Sequence, residues 1–551
     1  MKNIFVLIAG LFAIVYLSTL TLDVIDIDSS QYAEIVREMV SNGEYTKITD
    51  NGRKYLDKPI LTFWTIAPFF KFLSISNWAF RLPSIIITFL SVWVLFKLVF
   101  LIWENERRAW IACLSYLAAP GLYAMVVDPK IDVYLTAYIL FTHYFYYMGR
   151  KRNPFYFYLM YISMGLGFIT KGPISMVIPA ISIGGDILFR RDWKLLGSLR
   201  IVTGLPLTIF FPLLWSYFLY QEYSTYGPSF FLWIQSFGRF YKDLYDVKYD
   251  PFYFYKTFAW GFLTFFLPLA TTAFFIAFRF IKKISFKEFF RKIRENEYKD
   301  RDFTFGFWLF LFLFLISFSK FQLPQYVYWV LPAGAILFSG IVEEDLFMND
   351  TRRTRFSYLI IGFLYFAFIL FIPYFILEDF WSVLWIPILA ILILVYILRK
   401  IPLELALPIV GSFGSLLLVS LYIYPLLVSY QPASEIGAKV REIEPAKEIL
   451  YTYRISSSKR SYGFYSKRLF RNVYDKTKFL TVLNEEFTRL VVLPEDSLKN
   501  FEEFMDNQIE TEVVLSKDSY KVATPKLEFF LKNKRNFLTT KILLIKVKKK
   551  Q

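Results

Sequence analysis

The stretch "IFVLIAGLFAIVYLSTL", residues 4–20, is followed two residues later by "DVIDIDSSQYAEIVREMV", residues 23–40. The first stretch is an apolar run as long as a bilayer core is thick. The second places Asp23, Asp26 and Asp28 where the chain leaves that run, and it then predicts a soluble helix. A signal peptide is the alternative interpretation of the apolar run. Because no A-x-A-like cleavage site follows it, we expect a retained first membrane span.

The composition indicates a membrane protein and narrows the chemistry. The chain has 551 residues, 56% of them hydrophobic, and a formal charge of +17. The only cysteine is Cys113 and the only histidine is His143, and both lie in apolar runs. His/Cys metal sites and Ser-His-Asp triads are therefore disfavoured. Any acid–base chemistry must therefore come from the side chains of Asp, Glu, Lys, Tyr or Arg.

Apolar runs recur along most of the chain and predict a polytopic α-helical fold with about thirteen transmembrane helices. A further apolar segment, 60–75, predicts an interfacial or re-entrant helix. The predicted spans lie near 3–21, 81–102, 108–126, 131–149, 155–170, 172–190, 199–220, 257–280, 303–320, 326–343, 356–377, 381–398 and 404–426.

Loop charges predict the orientation of these spans. With the N-terminus in the cytoplasm, every inside loop, such as "WENERR", "GRKRNP" and "NDTRRTR", is rich in Lys or Arg. This asymmetry explains the positive charge of the chain, and we expect no nucleic-acid partner. The first loop and the tail then lie outside. The tail loses the apolar runs and alternates strand-like pieces ("EILYTYRI", "RLVVLP", "TEVVLS", "KILLIKVK") with polar helix-like pieces, which predicts a small soluble α/β domain.

Several polar residues fall on this outer side. Each has a common alternative role: interfacial Lys and Arg reach toward headgroups, an aspartate such as Asp28 caps a helix, and aromatic residues form an interface belt. Together they indicate a site at the membrane–water boundary, where cations suit a lipid-anchored phosphate and a carboxylate suits deprotonation of a hydroxyl. The residues are Asp28, Lys58, Arg81, Asp128, Lys171, Lys320 and Tyr326.

The stretches "IDIDSSQYAEIVREM", "GRKYLDKPILTFW" and "FRLPSI" resemble the start of the GT-C glycosyltransferases of the aminoarabinose transferase and protein O-mannosyltransferase group. "YAMVVDPKIDVYL", "ITKGPISMVIPA", "RFYKDLYDVKYDPFYFY" and "SKFQLPQYVYWVLP" continue the resemblance in order. It implies the GT-C fold, with a transmembrane catalytic domain at 1–427 that includes an outer first loop, 22–80. It also implies a periplasmic α/β domain at 428–551.

The resemblance implies roles for individual residues. Asp28, four residues before Tyr32, matches the family's first-loop acid, the catalytic carboxylate. Asp128 matches a second acid on the next outer loop, and Asp132 competes for that alignment. Lys58 matches a family lysine that holds the donor phosphate. Tyr326 matches a family tyrosine that has the same role. Further phosphate or structural contacts are expected from Arg81, Lys171, Arg239 and Lys320, with Tyr32 and Asp57 as supporting residues.

The implied reaction moves a sugar, with inversion, from a polyprenyl-phosphate donor to a hydroxyl or phosphate of an extracytoplasmic acceptor. Lipid A or a related glycolipid is the first expectation; a protein or a cell-wall glycan is the alternative acceptor. We expect no obligatory metal or other cofactor, because Lys, Arg and Tyr can neutralise a monophosphate. We expect a multi-pass protein of the bacterial inner membrane with a periplasmic active site. A transporter is the rival class, but charges at span ends and the lack of repeated halves favour the enzyme.

Overall fold

The computed structural model describes residues 2–235, 238, 249–283, 291, 295, 301–348 and 355–550. Helices lie over every predicted apolar run, and the segment 60–75 contains the helix Leu61–Leu73, within the first loop at 22–80. The first part of the chain contains the helices Lys2–Leu17, Asp28–Asn42, Leu61–Leu73, Asn77–Trp103, Glu106–Leu117, Pro120–Val127, Ile131–Lys151, Tyr156–Lys171, Ile174–Pro179, Gly185–Arg190, Trp193–Ser198, Ile201–Tyr223 and Tyr226–Ser229.

The helical part continues to residue 428, and several helices contain π-helical turns. Its second part contains the α-helices Tyr253–Gly261, Leu263–Lys283, Thr304–Gly306, Phe312–Ile316, Leu331–Val342, Arg355–Ile376, Trp385–Ile397, Leu403–Leu418 and Tyr424–Val428. The π-helical segments are Ala180–Gly184, Phe230–Ile234, Phe307–Leu311, Glu343–Met348 and Val419–Ile423. The 3₁₀ segments are Pro324–Val330 and Trp381–Val383.

Many of these helices are suited to a bilayer. In the part of the chain that the structure describes, five helices are long and apolar enough to cross a bilayer. The number rises to seven if each of two bent helix pairs forms one span. The five are Asn77–Trp103, Ile201–Tyr223, Pro324–Phe347, Arg355–Ile376 and Leu403–Val428. The predicted polytopic helical fold is confirmed, whereas the count of about thirteen crossings stays a prediction.

Local breaks in the helices bring polar residues to one end of the helical part. The helices Glu106–Leu117 and Pro120–Val127 meet at an angle of 57°, and the second ends at Asp128. The helix Tyr156–Lys171 ends at Lys171 because Gly172 adopts a φ of 99°, which favours glycine, and a proline follows. Each break leaves a charged side chain at a helix end.

The tail folds around one five-stranded sheet. In spatial order its strands are Leu469–Asn472, Ile449–Thr452, Thr488–Pro494, Thr540–Lys549 and Ile509–Ser519. The first three are parallel, and the last two are added antiparallel. The tail helices are Ala433–Ile443, Ser461–Ser466, Lys476–Glu486, Leu498–Phe504, Leu527–Phe530 and Lys532–Arg535, with a 3₁₀ turn at Glu495–Ser497. The predicted soluble α/β character is confirmed; the boundary at 427/428 stays a prediction.

The tail packs directly on the first loop, which contains a small hairpin, Thr49–Asp50 with Arg53–Lys54. Arg460 forms a two-pronged ion pair with Asp50, with Nη2 at 2.8 Å from Oδ2. The Asn51 side chain donates to the carbonyl of Phe470 at 2.9 Å and accepts from its N–H at 3.0 Å. These contacts join segments more than 400 residues apart and place the first loop between the tail and the helical part.

Candidate active site

One lysine joins the two acids that the sequence singled out. Asp28 is the first residue of the helix Asp28–Asn42, where the helix dipole favours a negative charge. The Nζ atom of Lys130 lies 3.2 Å from Oδ2 of Asp28 and 3.0 Å from Oδ2 of Asp128. A single ammonium group therefore bridges the predicted catalytic carboxylates.

The electrostatics of this bridge favour the charged forms. Burial raises the pKa of Asp28, but Lys130, with Lys58 and Lys171 farther away, outweighs burial and leaves that pKa below its ordinary value. Burial lowers the pKa of Lys130, but Asp128 and Asp28 outweigh it and leave that pKa above its ordinary value. Asp28 is thus a carboxylate, and Lys130 an ammonium, at neutral pH.

Asp128 has one oxygen that the bridge does not use. Its Oδ1 atom is buried and has no hydrogen-bond partner among the described residues. A buried, unpaired carboxylate oxygen is costly unless something binds it. Lys130 is therefore the cation that offsets the charge of this carboxylate.

A second cation lies over two aromatic rings. Lys171 Nζ is 2.5 Å from Oδ1 of the buried Asp132, and Trp329 Nε1 donates to the same oxygen at 2.8 Å. The Lys171 ammonium also lies 4.9 Å from the ring centroid of Tyr326 and 5.2 Å from that of Trp329. The two rings stack with centroids 4.8 Å apart. This packing fixes the ammonium at the end of its helix.

Lys58 belongs to the same region. Its ammonium contacts the carboxylate of the neighbouring Asp57, and Gln235 Nε2 lies 3.4 Å from the other Asp57 oxygen. The Lys58 side chain keeps only 18% of its surface exposed. Its charge contributes to lowering the pKa of Asp28. The bridge around Lys130 and the cations Lys58 and Lys171 therefore form one connected charge cluster.

A cavity of about 200 Å³ opens beside this cluster. Its polar wall includes Lys58, Lys171, Gln235 and the ring of Tyr326. Its apolar wall lies between the helix that begins at Ile174 and the helix Phe312–Ile316, and it consists mainly of Ile174, Val177, Ile181, Phe312, Leu315 and Ile316. The cavity thus combines two ammonium groups with a slot between apolar helices.

Other predicted residues lie elsewhere. Arg81 is fully buried and donates to the main-chain carbonyls of Val127 at 2.8 Å, Asp23 at 2.7 Å and Leu22. It ties the first helix–loop junction to the helix end before Asp128 and does not line the cavity. Arg81 was predicted to contact a donor phosphate. In the structure, N–H groups of its guanidinium instead donate to three main-chain carbonyls.

Three further candidates have different positions. Tyr32 is buried and packs on Phe63, with ring centroids 6.0 Å apart. Lys320 is exposed and lies between two cavity-lining residues, Ser319 and Phe321. Arg239 lies outside the described residues.

Sequence reasoning missed Lys130 and Trp329 as members of the site. The signal for Lys130 was the spacing of "DPKID", which places a lysine between two acids at a helix start. Trp329 was part of a matched motif but offered only the pattern of an interface aromatic. No group of three or more His, Cys, Asp or Glu able to hold a metal occurs in the part of the chain that the structure describes.

Comparisons with known proteins relate the chain to membrane glycosyltransferases. Residues 57–215 match the family model described as dolichyl-phosphate-mannose-protein mannosyltransferase. An uncharacterized protein of Aquifex aeolicus is 26% identical over 80% of this chain and 82% of its own length. The undecaprenyl phosphate-alpha-4-amino-4-deoxy-L-arabinose arabinosyl transferase of Serratia proteamaculans is 28% identical over 45% of this chain and 46% of its own length.

The fold has a solved counterpart. The crystal structure of ArnT from Cupriavidus metallidurans bound to undecaprenyl phosphate matches with a TM-score of 0.74, at 18% identity, over 98% of this chain and 97% of that one. This likeness establishes the shared fold. The sequence match to the named transferase spans less than half of that protein's length. The resemblance to the aminoarabinose transferase and mannosyltransferase group is confirmed, and the chain is a multi-pass membrane protein.

Proposed function

From the premise that this chain resembles the GT-C glycosyltransferases in sequence and fold, we propose that it transfers a sugar from a polyprenyl-phosphate donor. The acceptor lies at the outer side of the bacterial inner membrane. The observation that carries the proposal is the cavity with Lys58 and Lys171 on one wall and an apolar slot between helices on the other. A phosphate attached to a long apolar chain has the same two parts. A soluble nucleotide sugar has no long apolar chain that would fill the apolar slot.

The donor phosphate is held by Lys58 and Lys171, with Tyr326 completing the polar wall. Two ammonium groups neutralise a monophosphate, and they stabilise the charge that grows on its oxygens as the sugar leaves. The aromatic pair Tyr326–Trp329 holds Lys171 in position. Asp57 orients Lys58 in the same way. No metal is needed for this neutralisation.

Asp28 serves the acceptor. The acceptor oxygen forms a bond to the anomeric carbon while the carbon–oxygen bond to phosphate breaks, and the polyprenyl phosphate leaves with the electron pair. The acceptor proton goes to the Asp28 carboxylate. Attack opposite the leaving group inverts the configuration. Lys130 keeps Asp28 ionised and also pairs with Asp128, which brings the second acid to the same ammonium group.

Lipid A or a related glycolipid is the acceptor that we favour. A relative that matches 45% of the chain carries the name undecaprenyl phosphate-alpha-4-amino-4-deoxy-L-arabinose arabinosyl transferase, and the fold matches over nearly the whole chain. A phosphate acceptor is already ionised at neutral pH and needs no deprotonation, whereas a hydroxyl acceptor needs Asp28 as its base. A protein hydroxyl or a cell-wall glycan is the alternative.

The test compares lipid A from host cells that carry the wild type, Asp28→Asn or Asp518→Asn. Asp518 is an exposed residue of the tail sheet and is the matched control. We expect a sugar-sized mass increment with the wild type and the control, and none with Asp28→Asn. An unchanged increment in Asp28→Asn would remove Asp28 from the mechanism. No increment with the wild type would redirect the proposal to protein or cell-wall glycan acceptors.

A further inference from the structure

The tail carries an exposed basic and apolar segment that the reaction does not use. Residues 520–541, "YKVATPKLEFFLKNKRNFLTTK", contain six Lys or Arg and one Glu. Two large apolar side chains protrude from this segment: Leu527 is 78% exposed and Phe537 is 87% exposed. Exposed apolar side chains flanked by lysines are typical of segments that lie in a membrane interface.

The segment is fixed at the end of a helix that is long and apolar enough to cross the membrane. Arg535 Nη2 donates to the carbonyl of Ile376, the last residue of the helix Arg355–Ile376, at 2.5 Å. Arg535 Nη1 lies 3.7 Å from Glu378, just beyond that helix end. The Lys532 ammonium lies 5.1 Å from the ring centroid of Tyr374. The segment therefore lies level with the C-terminal end of this helix.

The surroundings support this level. Phe371, Tyr374 and Phe375 on the last two turns of the helix are exposed, as a lipid-facing surface would be. Trp381, the first residue of the 3₁₀ segment after the helix, is also exposed, and Trp and Tyr concentrate at membrane interfaces. On its inner side the segment is anchored by Phe529, which is buried in a cluster with Leu427 and Val428 at the end of the last apolar helix. The segment is thus rigidly attached on one side and open on the other.

We propose that residues 526–541 of this segment rest on the membrane surface at this end of the helices, with Leu527 and Phe537 inserted at the headgroup level. Lys526, Lys534 and Lys541 then lie near lipid phosphates. The occupant of this surface is the leaflet that the chain itself crosses, because the lipid-facing end of the helix Arg355–Ile376 is continuous with it. The contact holds the tail at a set height above the bilayer and is independent of the reaction catalysed.

Site-specific labels on the full chain in lipid nanodiscs test the proposal. Cys113 is the only cysteine and is buried, so a Cys113→Ala background accepts single labels. An environment-sensitive fluorophore is placed through Phe537→Cys or Leu527→Cys, and the discs contain phospholipids with a nitroxide high in the acyl chain. The controls are Phe487→Cys and Tyr474→Cys, which are 79% and 81% exposed on the same domain.

The controls flank the helix Lys476–Glu486, which covers the sheet face opposite the one that packs near the last apolar helix. Phe487 directly follows the helix Lys476–Glu486, whose Phe479 packs with Val491 and Ile545 on one face of the sheet. The opposite face packs on Ala433 and Ile436, just after the last apolar helix. A difference in quenching between the two pairs therefore reports the membrane contact and not mere exposure.

We expect the labels at 527 and 537 to lose most of their fluorescence and those at 474 and 487 to keep theirs. Equal quenching at all four positions would overturn the proposal. A second variant pair, Lys526→Glu with Lys534→Glu, is expected to reduce the quenching at 537, since the reversed charges repel lipid phosphates. Unchanged quenching in that pair would overturn the role given to the lysines.

Discussion

Replacing Lys130 by methionine tests the electrostatic account of the site. Methionine keeps most of the side-chain length but removes the ammonium group that lies 3.2 Å from Asp28 and 3.0 Å from Asp128. Burial, which raises the pKa of Asp28, then acts with less opposition. The two carboxylates also lose the cation that separates their charges. Both effects raise the pKa of Asp28.

The size of the effect follows from the distance. Two unit charges 3.2 Å apart attract by about 1.3 kcal/mol in bulk water and by about 5 kcal/mol at an effective dielectric constant of about 20. The Asp28 side chain keeps 43% of its surface exposed, so the value lies toward the lower limit. A loss of about 1–2 kcal/mol changes the ratio of protonated to ionised Asp28 by about 5–30-fold at a given pH.

The assay is the pH profile of kcat/KM for sugar transfer, whose acid limb reports an essential base of the free enzyme. Transfer to a hydroxyl needs ionised Asp28, so activity is lost as the pH falls through its pKa. The wild type should therefore keep its activity to a lower pH than Lys130→Met. The difference in kcat/KM between the two should be smaller near neutral pH than at acid pH. Lys54→Met, which removes an exposed lysine paired with Glu222, is the control and should follow the wild type. Coinciding acid limbs for Lys130→Met and the wild type would refute the reasoning.

Three other substitutions address separate parts of the site. Asp28→Asn is expected to lower transfer to a hydroxyl by about 10²–10⁴-fold while donor binding, measured by titration calorimetry, is retained; lost binding would instead place Asp28 in donor recognition. Lys58→Ala is expected to raise the donor KM by about 10–100-fold, since a hydrogen bond to a charged group contributes about 1.5–3 kcal/mol; an unchanged KM would exclude Lys58 from the phosphate site. Arg460→Ala leaves the buried Asp50 without its cation and is expected to destabilise the docked tail by about 3–5 kcal/mol. The loss is measured as a lower Tm in detergent, which the double variant Arg460→Ala with Asp50→Asn should partly restore. An unchanged Tm would show that the pair is dispensable.

The fold was largely predictable because the length and composition of each apolar run predict a helix. The bends were not, since the 119° turn between Tyr253–Gly261 and Leu263–Phe275 lies within one apolar stretch without a change in polarity. In the tail, all four predicted strand-like pieces contain strands, whereas the strand Leu469–Asn472 was missed. That strand has four residues and carries an arginine and an asparagine, so its pairing with a parallel neighbour, not its own pattern, makes it a strand.

The site was predictable as a set of charges at one membrane face but not as a set of pairs. Lys58, Lys171 and Tyr326 do line one cavity. Arg81 looked equivalent in sequence, yet it is buried among main-chain carbonyls. Lys130 was not singled out from the sequence, yet it bridges two acids. Which cation meets which acid depends on the rotation and height of separate helices, and no local pattern encodes that.

The tail bears on how precisely Asp28 can be held. An ammonium group at 3.2 Å attracts a half-exposed carboxylate too weakly to fix a loop by itself. Two residues earlier, however, the buried Asp26 accepts hydrogen bonds from the Ser461 hydroxyl at 2.8 Å and from the Ser461 N–H at 3.2 Å. Gln431 also accepts from the Asp26 N–H at 2.9 Å. The backbone that leads into Asp28 is thus held by residues more than 400 positions away, so the two ends of the chain must both be folded before the carboxylate has a defined position.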